Sequence, residues 1–207
     1  MRVIVGTYRG RTHIPDALRS LDAYLHGVSD LVFVNDSPDP EDSAWLAQYG
    51  KVIDVGGQGY TKAMQVVCHA AEGQPIMFWE EDFELLTHTH LEDLSEILWH
   101  RPHLAQIALL RGPHFPIEHE HGGLIEALVA QGHSFPEIGG VIEQTATFTC
   151  NPSVWRAHVT DLGWPQYGGY TEEVKRDDLL KLGYRFGFLP GIRVSHSGIR
   201  QGKGYRA

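Results

Sequence analysis

The most concentrated chemistry in the chain follows a short apolar run: Pro75-Ile-Met-Phe-Trp79 passes straight into Glu80-Glu81-Asp82. Three adjacent carboxylates at a strand end repel one another unless water solvates them or a divalent cation bridges them, and magnesium or manganese suits such oxygen donors best. A solvated acidic loop has the same composition, so the triplet alone leaves both readings open. A second pair, Glu172-Glu173, opens a helix-like stretch, where a carboxylate serves either as a general base or as a complement to the helix dipole. Residues 63–100 carry no Lys or Arg, while Arg193, Arg200, Lys203 and Arg206 follow Ile192 without one acidic residue. An acidic centre and a basic tail can hold a cation and an anion side by side. A solvated helix and a separate basic terminus would show the same pattern.

The elements that must position these groups read as alternating strands and helices. Arg2–Gly6, Asp30–Asn35, Lys51–Asp54 and Pro75–Trp79 are short, apolar and rich in β-branched or aromatic residues, as buried strands are. Between them lie a helix with Pro15 near its start and Ile14, Leu18, Leu21 and Leu25 on one face, a short helix through Trp45 and Leu46, and a helix with Tyr60, Met64, Val67 and Ala71 on one face. This order predicts a mostly parallel sheet with helices on both faces. Leu91–Trp99 reads as a helix and Leu104–Leu110 as a strand. After Arg111 a long irregular stretch, 112–123, precedes a helix at Leu124–Gln131. A strand at Thr145–Cys150, helices at Asn151–Val159 and Thr171–Leu182, and a strand at Tyr184–Leu189 follow. Ligands in such sheets bind beyond the carboxyl ends of strands. That rule selects Thr7–Arg11, Asn35–Asp39, Gly56–Lys62 and Glu80–Asp82. None has the spacing of a dinucleotide fingerprint or a phosphate loop.

With 207 residues, 42% of them apolar and 21% charged, the chain suits one domain, and its net charge of −9 argues against affinity founded on nucleic-acid phosphates. No apolar run approaches the roughly 20 residues of a membrane span, and the N-terminus lacks a secretory apolar region, so a cytoplasmic protein is expected. Cys68 and Cys150 are expected to be buried thiols. His88-Thr-His90 and His119-Glu-His121 have zinc-ligand spacing, but with 13 histidines such pairs arise by chance, and zinc is disfavoured.

Six segments in order resemble GT-A glycosyltransferases of the family 2 type. They are Val3-Ile-Val-Gly-Thr-Tyr-Arg9, Val32-Phe-Val-Asn-Asp-Ser-Pro-Asp39, Gly57-Gln-Gly-Tyr-Thr-Lys-Ala63, Ile76-Met-Phe-Trp-Glu-Glu-Asp-Phe83, Gly168-Gly-Tyr-Thr-Glu-Glu173 with the following Leu182–Gly187, and Val194-Ser-His-Ser-Gly198. About residues 112–143 are unmatched. The resemblance implies a single GT-A domain over 1–207, with 1–111 the nucleotide-sugar-binding half and 112–207 the acceptor and catalytic half. It implies an enzyme that moves a sugar, with inversion, from a UDP- or GDP-linked donor to an acceptor hydroxyl. Asp36 would contact the nucleotide, with Thr7, Tyr8 and Arg9 lining its pocket and Lys62 beside it. Glu80, Glu81 and Asp82 stand at the family's Asp-x-Asp position, departing from it by a Glu in first place. Asp82 and His196 would hold manganese or magnesium, and Glu173 or Glu172 would be the base. Arg193, Arg200 and Lys203 would meet the departing diphosphate.

Trp164 and Tyr167 are placed to contact the acceptor, which the sequence leaves open among modified DNA, protein, glycan and small molecules. Compactness points to a stand-alone modification enzyme of bacterial or bacteriophage type, working in the host cytoplasm if phage-encoded. A nucleotidyltransferase on a similar sheet and a catalytically silent nucleotide- or carbohydrate-binding protein are the alternatives.

Overall fold

The computed structural model describes residues 1–166 and 170–198. The first part of the chain runs β1 (Arg2–Thr7), α1 (Ile14–Tyr24), β2 (Leu25–His26), β3 (Asp30–Asn35), α2 (Pro40–Leu46), β4 (Lys51–Asp54), α3 (Tyr60–Ala70) and β5 (Ile76–Glu80). Next come β6 (Phe83–Leu85), β7 (Thr89–His90), α4 (Leu91–His100), β8 (Leu104–Arg111), α5 (Pro116–His121), α6 (Leu124–Ala130), β9 (Glu137–Ile138) and β10 (Val141–Gln144). β11 (Ser153–Trp155), α7 (Ala157–Asp161), α8 (Thr171–Lys181) and β12 (Arg185–His196) complete it.

The main sheet has the order β4-β3-β1-β5-β11-β8-β12-β10-β9, with β6 alongside the end of β12. β4, β3, β1 and β5 are parallel, and β11 is inserted antiparallel between β5 and β8. β12 runs parallel to β8, so the long strands all point their carboxyl ends the same way. Alternation along β1 explains the layers. Val3 and Val5 pack with Ile14 and Leu21 of α1, whereas Ile4 faces Met64 and Val67 of α3. Each buried strand thus needs apolar residues on both faces, as its sequence has. Cys68 and Cys150 are buried and unpaired. None of the described helices is long and apolar enough to cross a membrane.

Two expectations fail in the second half. Residues 145–150 form no strand although their composition suits one. Two side-chain amides take the place of a partner strand: Gln106 donates to the Thr149 carbonyl and accepts from its N–H, at 2.8 and 3.0 Å, and Gln144 does the same for Thr147, at 2.6 and 2.8 Å. The helix expected over 151–159 starts only at Ala157. Ser153, Val154 and Trp155 are instead the three-residue strand β11, clamped between β5 and β8. The last strand also extends beyond Leu189. Its pairing with β8 shifts register between Leu189 and Ile192, where Gly191 has φ 82°, and again between Ile192 and Val194. An irregularity of this kind bends a strand without ending it. It delivers His196 to the crevice.

Candidate functional site

The crevice lies where β1, β3 and β5 end and where α8 begins. Asp36 follows β3 directly and is 1% exposed. Its N–H donates to the Thr7 carbonyl, which joins the ends of β3 and β1. Burial raises the carboxyl's pKa, while the backbone N–H groups of Gly59 and Gln58 work against that rise. The Gly59 bond is 3.1 Å long. Gly59 holds φ 94°, a conformation that side chains resist, and so the loop can fold its N–H groups over Asp36 before α3 starts. Lys62, one turn into α3, is exposed. Arg9 lies over the Tyr8 ring at 5.3 Å, so both stand at the mouth of the same loop.

The three acids after β5 diverge. Glu80 points toward α8, and burial, then the proximity of Glu172, Asp82 and Glu81, holds its carboxyl well above the usual range. Glu81 turns back to the β1 loop, where it accepts a hydrogen bond from the Tyr8 N–H. Burial pushes its pKa up to about 7 against the help of that bond. Asp82 meets His196, with Oδ2 3.0 Å from Nε2. Its carbonyl accepts from the Ser197 N–H, which fixes the end of β12 beside it. Gly198 closes the corner: a Cβ there would lie 1.9 Å from Asp82 Oδ2. The His196 ring is packed between Phe83 and His114, with centroids at 4.4 and 4.1 Å. Its Nδ1 is buried without a hydrogen-bond partner.

At the start of α8 the two glutamates separate. Glu172 accepts from the Tyr60 hydroxyl at 3.0 Å and from the Cys150 N–H at 3.3 Å. Burial raises its pKa in spite of these bonds. Glu173 is exposed on the same turn; its N–H donates to the Tyr170 carbonyl, and its carboxylate has no hydrogen bond or ion pair among the described residues.

Other expected residues are placed differently. Trp164 is 5% exposed and stacks on Trp155 at 6.0 Å, with Tyr60 against its edge, so it is core and not a platform open to an acceptor. Arg193 is partly buried and lies within the irregular stretch of β12 between Ile192 and Val194. Tyr167, Arg200 and Lys203 lie outside the described residues. His88 and His90 do meet a third ring, His26, across the β2–β7 pair, where the rings stack at 5.2 and 4.5 Å and His26 Nε2 shares a 2.9 Å hydrogen bond with His88 Nδ1. Among the described residues no three His, Cys, Asp or Glu side chains are gathered as a metal cluster. An apolar groove of about 320 Å³ beside Trp99 is lined by Pro75 at the amino end of β5, far from the acids.

Sequence reasoning missed His114, Tyr60 and Cys150 as site residues. Tyr60 lies within a motif segment, and its neighbours gave no reason to single out the hydroxyl. His114 sits in the unmatched stretch, and its signal is the pair Arg111 and Glu118 around it. Those side chains form a two-pronged ion pair at 2.6 and 2.8 Å, and Glu118 also accepts from the His114 and Phe115 N–H groups. Burial alone would raise the Glu118 pKa, but these donors carry it down to about 2.

No protein-family model and no curated protein matches the sequence. Solved structures do resemble the fold. A mannosyltransferase from Pyrobaculum calidifontis in complex with GDP-Man and Mn2+ superposes with a TM-score of 0.68 at 16% identity, over 97% of this chain and 57% of that one. The chain has the GT-A fold. S. aureus TarS in complex with UDP-GlcNAc gives 0.64 at 18% identity, over 100% of this chain and 61% of that one. GalNAc-T7 with UDP, GalNAc and Mn2+ gives 0.65 at 13% identity, over 98% and 44%. The chain therefore spans less than two thirds of these proteins' lengths. In this GT-A fold the acids of β5, the β3 aspartate and the start of α8 all lie at the carboxyl ends of the strands, where open parallel sheets place their ligand sites.

Proposed function

We propose that the protein is a nucleotide-sugar-dependent glycosyltransferase that uses a divalent metal and inverts the anomeric centre. The observation that carries this reading is that Asp36, Glu80, Asp82, His196 and Glu173 all stand at the carboxyl-end side of the sheet of a GT-A fold, where the Asp82–His196 pair and the Tyr60–Glu172 bond tie β5, β12, α3 and α8 together. Asp36 binds the nucleoside, with Tyr8, Arg9 and Lys62 at the pocket mouth, and the donor's diphosphate lies over Glu80 and Asp82.

The residues fit a divalent ion. The imidazole of His196, whose Nε2 faces the Asp82 carboxylate at 3.0 Å, and that carboxylate are the donor types manganese accepts. Two protein ligands suffice where substrate phosphates complete the shell. Manganese or magnesium bound there would neutralise the charge that develops on the leaving diphosphate. Glu173 takes the acceptor hydroxyl proton as that oxygen attacks the anomeric carbon, and the bond from this carbon to the diphosphate oxygen breaks. Glu172 is held by Tyr60 and Cys150 and positions the turn.

The donor is UDP- or GDP-linked. The acceptor bears a free hydroxyl, with modified DNA, protein and glycan as the candidate classes. The −9 net charge makes plain duplex DNA a poor ligand. The setting is a cell's cytoplasm, in a bacterium or a phage-infected host.

A thermal-shift screen of UDP, GDP and their sugar conjugates, with and without manganese, tests the reading, because a ligand bound to the native state raises its midpoint. One nucleotide should give a metal-dependent rise, with slow release of free sugar from its conjugate. Failure of every nucleotide to stabilise the protein would sink the proposal.

A further inference from the structure

The ring of His196 has two different neighbours. Phe83 lies parallel to it, with an interplanar angle of 7° and a centroid separation of 4.4 Å, and His114 lies tilted against it at 4.1 Å and 44°. Phe83 is 1% exposed and belongs to the strand β6 that pairs with β12, so that face of the imidazole is fixed by the sheet itself. His114 comes from the segment after β8 that the family resemblance does not cover. A loop is a poor support for a ring contact unless something holds its backbone. Here the support is unusually strong. Arg111 and Glu118 are 6% and 4% exposed in their side chains, and Glu118 Oε2 also takes the His114 N–H at 2.8 Å. A buried ion pair, here between the end of β8 and α5, is costly to desolvate and weak evidence of added stability. Its visible effect here is to set the position of one residue.

We propose that His114 is a positioning residue: it closes the second face of the His196 imidazole against Phe83 and so holds that ring toward Asp82, where the two would bind the divalent ion. The inference rests on the metal-dependent reading above. It also assigns the beginning of the 112–143 segment to the metal end of the site, where the sequence alone suggests a segment devoted to the acceptor. The group His114 supplies is its flat ring, because among the described residues no three His, Cys, Asp or Glu side chains are arranged to hold a metal ion. An aromatic side chain without nitrogen should therefore replace it.

The test compares His114→Ala and His114→Phe with the native protein, using the electron paramagnetic resonance of Mn2+ titrated in the presence of UDP or GDP, whichever the protein binds. Thermal midpoints confirm that each variant is folded. His114→Ala should weaken Mn2+ binding about tenfold, the scale on which supporting groups around a metal act. His114→Phe should stay within about twofold of the native affinity. Native-like binding by His114→Ala overturns the proposal, and so does a loss in folded His114→Phe equal to that in His114→Ala, which would make the histidine nitrogen itself a ligand. Absence of nucleotide-dependent Mn2+ binding by the native protein overturns the metal reading itself, and the clamp with it.

Discussion

Tyr60 and Glu172 stand 112 residues apart in sequence, and the tyrosine hydroxyl donates to the carboxylate at 3.0 Å. The bond ties the first turn of α3, just past the loop over Asp36, to the first turn of α8. It joins the two halves of the crevice and engages one of the two adjacent glutamates. The other, Glu173, is left exposed.

The first prediction follows from that division. Gln keeps the size of Glu but cannot accept a proton, so Glu173→Gln should lower transfer by roughly 10²–10⁴-fold while donor binding persists. Glu172→Gln should lower it less and shift the thermal midpoint as well, because its partners are structural. Steady-state transfer and donor affinity measured side by side decide the matter. Native transfer rates in Glu173→Gln would remove that residue as the base.

For the metal pair, Asp82→Ala should abolish donor turnover while the circular dichroism spectrum is retained, and His196→Ala should reduce metal dependence less severely. Undiminished activity in excess chelator would rule the mechanism out. Asp36→Ala should weaken nucleotide binding by about tenfold or more, the scale of losing a charged hydrogen-bond acceptor, with little change in acceptor use.

Much of this was legible in the sequence for a physical reason. Strands β1, β3 and β5 are buried on both faces, so their apolar runs mark them to within a residue, and ligand groups in such sheets must follow the carboxyl ends. The second half was less legible because its backbone is satisfied by side chains. Gln106 and Gln144 stand in for a strand beside 145–150, and no local pattern announces that. His114 was hidden for a similar reason. Its importance arises from contacts with Arg111, Glu118 and His196, of which only the first two are near in sequence.

Glu81 gives a prediction in pH. Its folded pKa of about 7 lies above the ordinary value of 4.5, so between these values the folded protein binds more protons than the unfolded one. Stability linked to this group is present below about pH 4.5 and is lost as pH rises through 7. Glu81→Gln cannot ionise, so in metal-free buffer its thermal midpoint should gain on the native protein's as pH rises from 5 to 8. A midpoint difference that does not change with pH would count against the burial of this carboxylate.

Glu118 behaves oppositely. With a folded pKa of about 2, its contribution is full above about pH 4.5 and disappears as pH falls through 2. At neutral pH, Glu118→Gln leaves Arg111 buried and unpaired, and urea denaturation should show a loss of about 3–5 kcal/mol. A loss below about 1 kcal/mol would mean that the pair is more hydrated than its 6% and 4% side-chain exposures indicate.

The last prediction concerns the acceptor. Shortening the chain across Gly112 to Gly123 would remove both His114 and Glu118, so it would damage the metal end along with any acceptor contact. The sharper variants are on the exposed apolar tips of the same segment, where Ile117 is 44% and Val129 51% exposed. These side chains lie in α5 and α6, just beyond the loop that reaches His196. Ile117→Ser with Val129→Ser should keep nucleotide-sugar affinity and the slow release of free sugar, while lowering transfer to the true acceptor about tenfold. If DNA carries the acceptor hydroxyl, the −9 net charge requires weak binding to plain duplex, with recognition resting on the hydroxyl-bearing base. Tight, salt-sensitive binding to unmodified duplex would contradict the charge argument. A drop in donor affinity with unchanged transfer would contradict the acceptor assignment.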